Sequence, residues 1–116
     1  MTKVTNGNVN GDYWAVTSWH DDDGNPAGGT FYATGVTGRF QNGPLGRGAG
    51  RQVPNGTFVE TLLRIAKERL DFYQESKFNC RENALAITKI EEAIHWLNSR
   101  TARREEAGVE GTHDGS

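Results

Sequence analysis

The sequence predicts an α+β fold in which a small N-terminal antiparallel β-sheet precedes a C-terminal antiparallel two-helix hairpin. Aromatic and β-branched residues crowd two early segments, YWAVTSW at 13–19 and TFYATGVTGRF at 30–40, which is typical of strands. Two later segments repeat their apolar residues every three or four positions, as helices do. A stretch rich in glycine and proline separates the two kinds of pattern.

We treat the whole chain, residues 1–116, as one small domain with four parts. Residues 1–11 are polar and rich in Asn and Gly, so we expect a flexible lead-in. Residues 12–56 hold two antiparallel strands and then a Gly-rich loop without regular structure. Residues 57–107 form the helical hairpin, and residues 108–116 form a tail without periodicity.

Each predicted helix opens on a polar N-cap followed three residues later by a glutamate: Thr57 with Glu60, and Asn79 with Glu82. The short connection after Gln74 makes the two helices antiparallel. The buried stripe of the second helix comprises Asn83, Ala86, Ile87, Ile90, Ala93, Ile94, Leu97, Arg100 and Arg104. A stripe that ends on guanidiniums requires an anion, a carboxylate or a second chain to meet it there.

The composition limits the size of the core and the choice of partner. Only 34% of the residues are apolar, and a helical hairpin with a small sheet covers one side of each apolar stripe, so we expect a homo-oligomer. A formal net charge of -2 disfavours binding to polymeric nucleic acid. Cys80 has no partner for a disulfide, and the start of the chain lacks an apolar run, so we expect a cytosolic protein without membrane contact.

The Gly-rich region has a positive local charge. Between Asp23 and Glu60 there is no carboxylate, while Arg39, Arg47, Arg51 and ten glycines fall in that stretch. Unhindered backbone amides with guanidiniums form nests that hold phosphate oxygens, although a flexible connector has the same composition. The stretch GRGAGR lacks the Lys-Ser/Thr of a phosphate-binding P-loop.

Catalytic and metal-binding patterns are weak. His20 beside three aspartates, Asp21, Asp22 and Asp23, is ordinary turn composition rather than a metal site. Cys80 and His95 lie about 22 Å apart along one helix, too far for a nucleophile and base. The sequence therefore predicts no catalytic residue, no metal and no cofactor.

One small-molecule site follows from the helices if two chains pair head to tail. Asn83 and Arg100 are about 25 Å apart on one helix, while Tyr73 ends the first helix close to Asn83. In an antiparallel dimer, Arg100 of one chain reaches Tyr73 and Asn83 of the other. A ring, an amide and a guanidinium together suit a purine nucleotide.

Several segments carry a resemblance to a known family. NGTFVETLL, FYQESKFNCRENALAITKIEEAIHWLNSRT and GVEGTH resemble the helical hairpin that phage anti-CBASS type two proteins share with Thoeris anti-defence type one proteins. TFYATGVTGRFQNGPLGRG resembles the β region of the Thoeris anti-defence branch. The resemblance implies a non-enzymatic protein that binds and sequesters signalling nucleotides in the cytoplasm of the infected bacterium. It also implies that dimers of this protein assemble into a hexamer. Its expected ligands are cyclic ADP-ribose isomers and, in some members, cyclic di- and trinucleotides of CBASS signalling.

The resemblance also implies roles for individual residues. Trp14 and Tyr73 would stack on adenine, and Asn83 would form hydrogen bonds with an edge of the adenine. Arg47 and Arg100 would pair with phosphates. Arg51 is an alternative to Arg47 because the loop alignment is loose. The residues expected at a second ligand site are Arg103, Arg104, Gly108, Gly111 and Thr112.

Two other functions stay open. The basic end of the second helix would serve a small phage protein that binds a host protein or nucleic acid. A hydrolase or lyase that cleaves the signal, with His20 as its base, is the other alternative.

Overall fold

The computed structural model describes residues 1–106, and the chain divides into two compact units, Met1–Phe58 and Val59–Ser116. The first unit contains four β-strands and the Gly-rich loop, and the second contains two α-helices. The α+β class predicted from the sequence is confirmed.

The first unit is built on a four-stranded antiparallel sheet in which the strands follow their chain order. The strands are β1, Thr2–Val9; β2, Asp12–His20; β3, Pro26–Ala33; and β4, Val36–Phe40. Tight hairpins join β1 to β2 and β3 to β4, so the sheet is a simple meander.

The prediction that residues 1–11 form a flexible lead-in is wrong, because most of this segment forms β1. Asn10 and Gly11 make the turn into β2 with φ angles of 54° and 84°, values that Asn and Gly adopt more readily than other residues. The amide of Gly11 also donates to Oδ1 of Asn8 at 2.9 Å. This Asn-Gly pair pins the polar β1 against the aromatic β2.

The segment TFYATGVTGRF, predicted as one strand, forms parts of two. Gly35, with φ of 86°, turns the chain between β3 and β4, and Ala33 pairs with Val36. The turn predicted at Asp21–Asp23 is confirmed, since Oδ1 of Asp21 accepts hydrogen bonds from the amides of Asp23 and Asn25.

One face of the sheet carries an aromatic row. Trp14 and Val16 of β2 alternate onto this face, Phe31 pairs with Val16 across the sheet, and Phe40 follows on β4. The Phe31 and Phe40 rings lie 4.9 Å apart between centroids. The Trp14 indole covers Gly7 of β1 so closely that a side chain at position 7 would occupy the same space as the indole.

The loop after β4 is ordered by side-chain hydrogen bonds. The backbone amide of Asn42 donates to Oδ1 of Asn55 at 2.8 Å, and the backbone amide of Asn55 donates to Oε1 of Gln41 at 2.9 Å. These bonds close the base of the loop. Leu45, inside it, is 8% exposed and is the one buried apolar residue that residues 1–106 contain. As predicted, the loop has no long regular element, only a 3-10 turn at Gly48–Gly50.

The second unit is a hairpin of α1, Val59–Gln74, and α2, Arg81–Glu106. The Gln74 side chain forms hydrogen bonds with the backbone of Cys80. Nη2 of Arg64 donates a hydrogen bond to Oδ1 of Asn98 at 3.5 Å. The end of α1 therefore faces the start of α2, and an earlier turn of α1 faces a later turn of α2. This is the antiparallel hairpin that the sequence predicts.

Both helices begin later than the predicted caps. The Thr57 amide donates to the Arg39 carbonyl and its own carbonyl accepts from the Gln41 amide, so Thr57 extends the sheet. Cys80, not Asn79, precedes α2, and its Sγ accepts a hydrogen bond from the Asn83 amide at 3.4 Å. The Asn79 side chain instead donates to the Ser76 carbonyl in the connection.

The predicted stripe of α2 is half-buried from Asn83 to Leu97 and then departs from the prediction. Arg100 is exposed, while Arg104 is buried at 9% exposure. Trp96 lies off the stripe and is 63% exposed. Two helices cover only one stripe of each other, which leaves the rest of α2 open.

The close packing of β2 against β3 generates a first prediction. A methyl group at Gly29 would collide with the Thr17 carbonyl, so Gly29→Ala forces the strands apart. We expect a loss of about 1–3 kcal/mol in the free energy of unfolding, the usual cost of overpacking. Denaturant melts at matched protein concentration measure it. Gly50→Ala, which meets nothing within 4 Å, is the control and should melt like the parent chain.

The connection between the helices generates a second prediction. Gln74→Met keeps the side-chain length but removes the acceptor and the donor that hold Cys80, both at 3.0 Å. We expect a loss of about 0.5–1.5 kcal/mol, because the exposed Cys80 backbone exchanges its bonds to Gln74 for bonds to water. Glu75→Met, at the adjacent exposed position, is the control. Equal melting of the two variants would show that the Gln74 bonds do not stabilise the hairpin.

Candidate ligand-binding site

The end of the hairpin next to the α1–α2 connection carries an aromatic pair. Phe72 and Tyr73 lie in the last turn of α1, with ring centroids 6.2 Å apart and planes inclined by 55°. Phe72 is 57% exposed and Tyr73 is 37% exposed. A partly exposed ring held on a helix is a platform on which a planar heterocycle can stack.

Arg69 joins this pair and was not among the residues predicted from the sequence. Its guanidinium carbon lies 4.9 Å from the Tyr73 ring centroid and 5.3 Å from that of Phe72. Both distances are within the range of cation–π attraction. The signal was present in the sequence, because Arg69 is three residues before Phe72 and four before Tyr73, the spacings at which helical side chains meet.

Asn83 lies at the same end of the hairpin, as predicted. It is the third residue of α2, it is half-buried, and its backbone amide donates to Sγ of Cys80. The bonds between Gln74 and Cys80 hold the start of α2 beside the end of α1. The hairpin therefore brings Tyr73 and Asn83 to one end of the second unit.

Arg100 does not join them within one chain. It is exposed and lies on the uninterrupted α2, seventeen residues after Asn83, a separation of about 25 Å at about 1.5 Å per residue. The separation expected from the sequence is thus confirmed. Whether a second copy supplies Arg100 stays a prediction.

The other predicted ligand contacts belong to the first unit. Trp14 is 36% exposed, with its indole over Gly7. Arg47 and Arg51 flank the 3-10 turn of the loop and are both exposed, and each interacts with another group of the chain. Their roles in ligand binding stay predictions.

The predicted second site lies only partly within the described residues. Arg103 is exposed near the end of α2, whereas Arg104 is buried and has an interaction partner. Gly108, Gly111 and Thr112 lie outside the residues that the structure describes.

An ion pair lies next to the aromatic end of α1. Nζ of Lys67 forms an ion pair with Oδ2 of Asp71 at 2.7 Å. The hydrogen bond that Lys67 donates to Asp71 raises the pKa of Lys67 above its usual value.

His20, the residue considered as a base or metal ligand, lies in the first unit. It is half-buried, and within residues 1–106 its Nδ1 is buried without a hydrogen-bond partner. No three His, Cys, Asp or Glu side chains in this part of the chain cluster as a metal site would require. Over the same residues, neither helix has the length and apolarity needed to cross a bilayer.

Comparison with known proteins agrees with this architecture. Residues 34–102 match the family model "Acb2/Tad1, hairpin domain". A protein named Thoeris anti-defense 1, from Bacillus phage SBSphiJ7, is 53% identical over 79 residues, which are 68% of this chain and 53% of that protein. The chain thus spans about half the length of this curated relative. The resemblance drawn from the sequence is confirmed, and the chain belongs to the Acb2/Tad1 hairpin family.

Proposed function

We propose that this chain is a phage anti-defence protein that binds and sequesters cyclic nucleotide immune signals without cleaving them. The observation that carries the proposal is the 53% identity to a phage protein named Thoeris anti-defense 1. The proposed ligands are cyclic ADP-ribose isomers, with cyclic di- and trinucleotides of CBASS signalling as a further class. The proposed place of action is the cytoplasm of the infected bacterium.

The chemistry at the hairpin end supports a nucleotide as the ligand. Tyr73 offers a ring for stacking, and Asn83 offers an amide that both donates and accepts hydrogen bonds. Both sit on helices tied together through Gln74 and Cys80, so the groups are held before the ligand arrives. Such preorganisation favours tight capture, which sequestration requires because a sponge must compete with the receptor of the signal.

A second copy would complete the site and cover the open apolar surface. Within residues 1–104, no side chain is less than 2% exposed, and Trp96, Ile65 and Phe72 are all more than half exposed. Exposed apolar surface of this extent favours association. Pairing of hairpins head to tail would bring Arg100 of one chain to Tyr73 and Asn83 of the other, and we propose a dimer that assembles into a hexamer.

Recovery of the ligand tests sequestration against cleavage. Purified protein is mixed with a panel of cyclic ADP-ribose isomers and cyclic oligonucleotides, filtered, and then heat-denatured. We expect one ligand to leave the filtrate in proportion to the protein added and to return intact on denaturation. Consumption of excess ligand would instead favour an enzyme. In that case His20→Ala tests the alternative base, and no depletion of any ligand would contradict the proposal.

Truncation of the predicted contacts tests the site itself. We expect Asn83→Ala and Arg100→Ala each to weaken binding about 10-fold or more, since each removes a hydrogen-bonding group from a bound ligand. Isothermal titration measures affinity, and sedimentation of each variant checks that the oligomer is intact. Glu91→Ala, which truncates another exposed polar side chain on α2, is the control. Unchanged affinity of the Arg100→Ala variant would show that Arg100 of a second copy does not contact the ligand.

A further inference from the structure

We infer that Arg69 is a phosphate-binding residue of the ligand site, a role that rests on the proposed function and that deepens it. Its guanidinium lies over the Tyr73 ring, the platform proposed for the base. The inference assigns the ligand a phosphate oxygen close to the stacked heterocycle, as in a cyclic adenine nucleotide.

Arg69 has no carboxylate to pair with on its own helix face. The residues three and four positions away are Ile65, Ala66, Phe72 and Tyr73, none of which is acidic. Of the adjacent acidic residues, Glu68 points to another side of the helix and Asp71 is bonded to Lys67 at 2.7 Å. The guanidinium therefore keeps donors that an incoming anion can use.

Two aromatic rings already position the Arg69 guanidinium. Its carbon lies 4.9 Å from the centre of Tyr73 and 5.3 Å from the centre of Phe72. A guanidinium stacked on a ring exposes N–H groups along its edges, in the fork geometry that suits phosphate oxygens. Because its rotamer is restrained before binding, less side-chain entropy is lost when the ion pair forms.

Stacking of a heterocycle on Tyr73 and pairing of its phosphate with Arg69 would reinforce each other. With the cation over one face of Tyr73, a heterocycle can stack on the ring's remaining accessible surface while its phosphate lies within reach of the guanidinium edge. A neutral platform would accept any planar compound. The Arg69–Tyr73 pair instead selects heterocycles that carry a nearby negative charge.

The test compares Arg69→Gln and Arg69→Lys with Lys89→Gln, which removes one positive charge at an exposed position of α2. Titration uses cyclic ADP-ribose isomers, at low and at high salt. We expect Arg69→Gln to bind about 10-fold more weakly than the parent chain, as loss of a charge-assisted bond predicts. The deficit should shrink at high salt because the ion pair is screened. Arg69→Lys should retain part of the affinity, and Lys89→Gln should match the parent.

Three outcomes would overturn the inference: parent-like binding by Arg69→Gln, a deficit that does not respond to salt, or a lysine variant no better than the glutamine variant. Tyr73→Leu separates this failure from that of the proposed function. If Tyr73→Leu loses binding while Arg69→Gln retains it, Arg69 alone is excluded. If the parent chain binds none of the ligands, the proposed function fails and Arg69 has no phosphate to bind. Circular dichroism of each variant confirms that the helices are intact.

Discussion

The scarcity of buried apolar surface constrains every part of this protein. The first unit is a single sheet with one aromatic row, and the second is a single pair of helices. A sheet or helix pair of this size hides one face and leaves the other to solvent, which is why Leu45 is the one fully apolar residue buried within residues 1–106. Stability then depends on local hydrogen bonds that hold the turns, such as those of Gln74 with Cys80 and of Asn42 with Asn55.

The same constraint bears on the proposed function. An open helical hairpin presents rings and polar groups at its surface, where they can meet a small ligand. Tyr73, Arg69 and Asn83 all lie on helices rather than on loops, so the platform is rigid although it is exposed. A site that binds without catalysing needs this rigidity and does not need a perturbed nucleophile or base. Residues of opposite hairpin ends would meet only through a second copy.

Predictions from the sequence succeeded where a single pattern dominated. The period of three to four residues correctly located both helices to within two residues, and the half-buried stripe from Asn83 to Leu97 followed it. The predictions failed where two signals competed. The polar composition of residues 1–11 indicated disorder, but the Asn10–Gly11 turn signal outweighed it and paired β1 with β2. The predicted caps failed because Thr57 pairs with the sheet and Cys80 stands next to α2.

The sequence by itself determined the α+β class, the antiparallel hairpin and the family, since these depend on periodicity, on short connections and on matched segments. It also placed Tyr73 and Asn83 at one hairpin end, because connection length alone brings neighbouring helix ends together. Only the tertiary structure decided that Arg69 lies over Tyr73, that Arg100 is exposed while Arg104 is buried, and that two predicted strands are four. Those outcomes depend on rotamers, on the phase of a helix face and on cross-strand pairing, which a linear pattern does not specify.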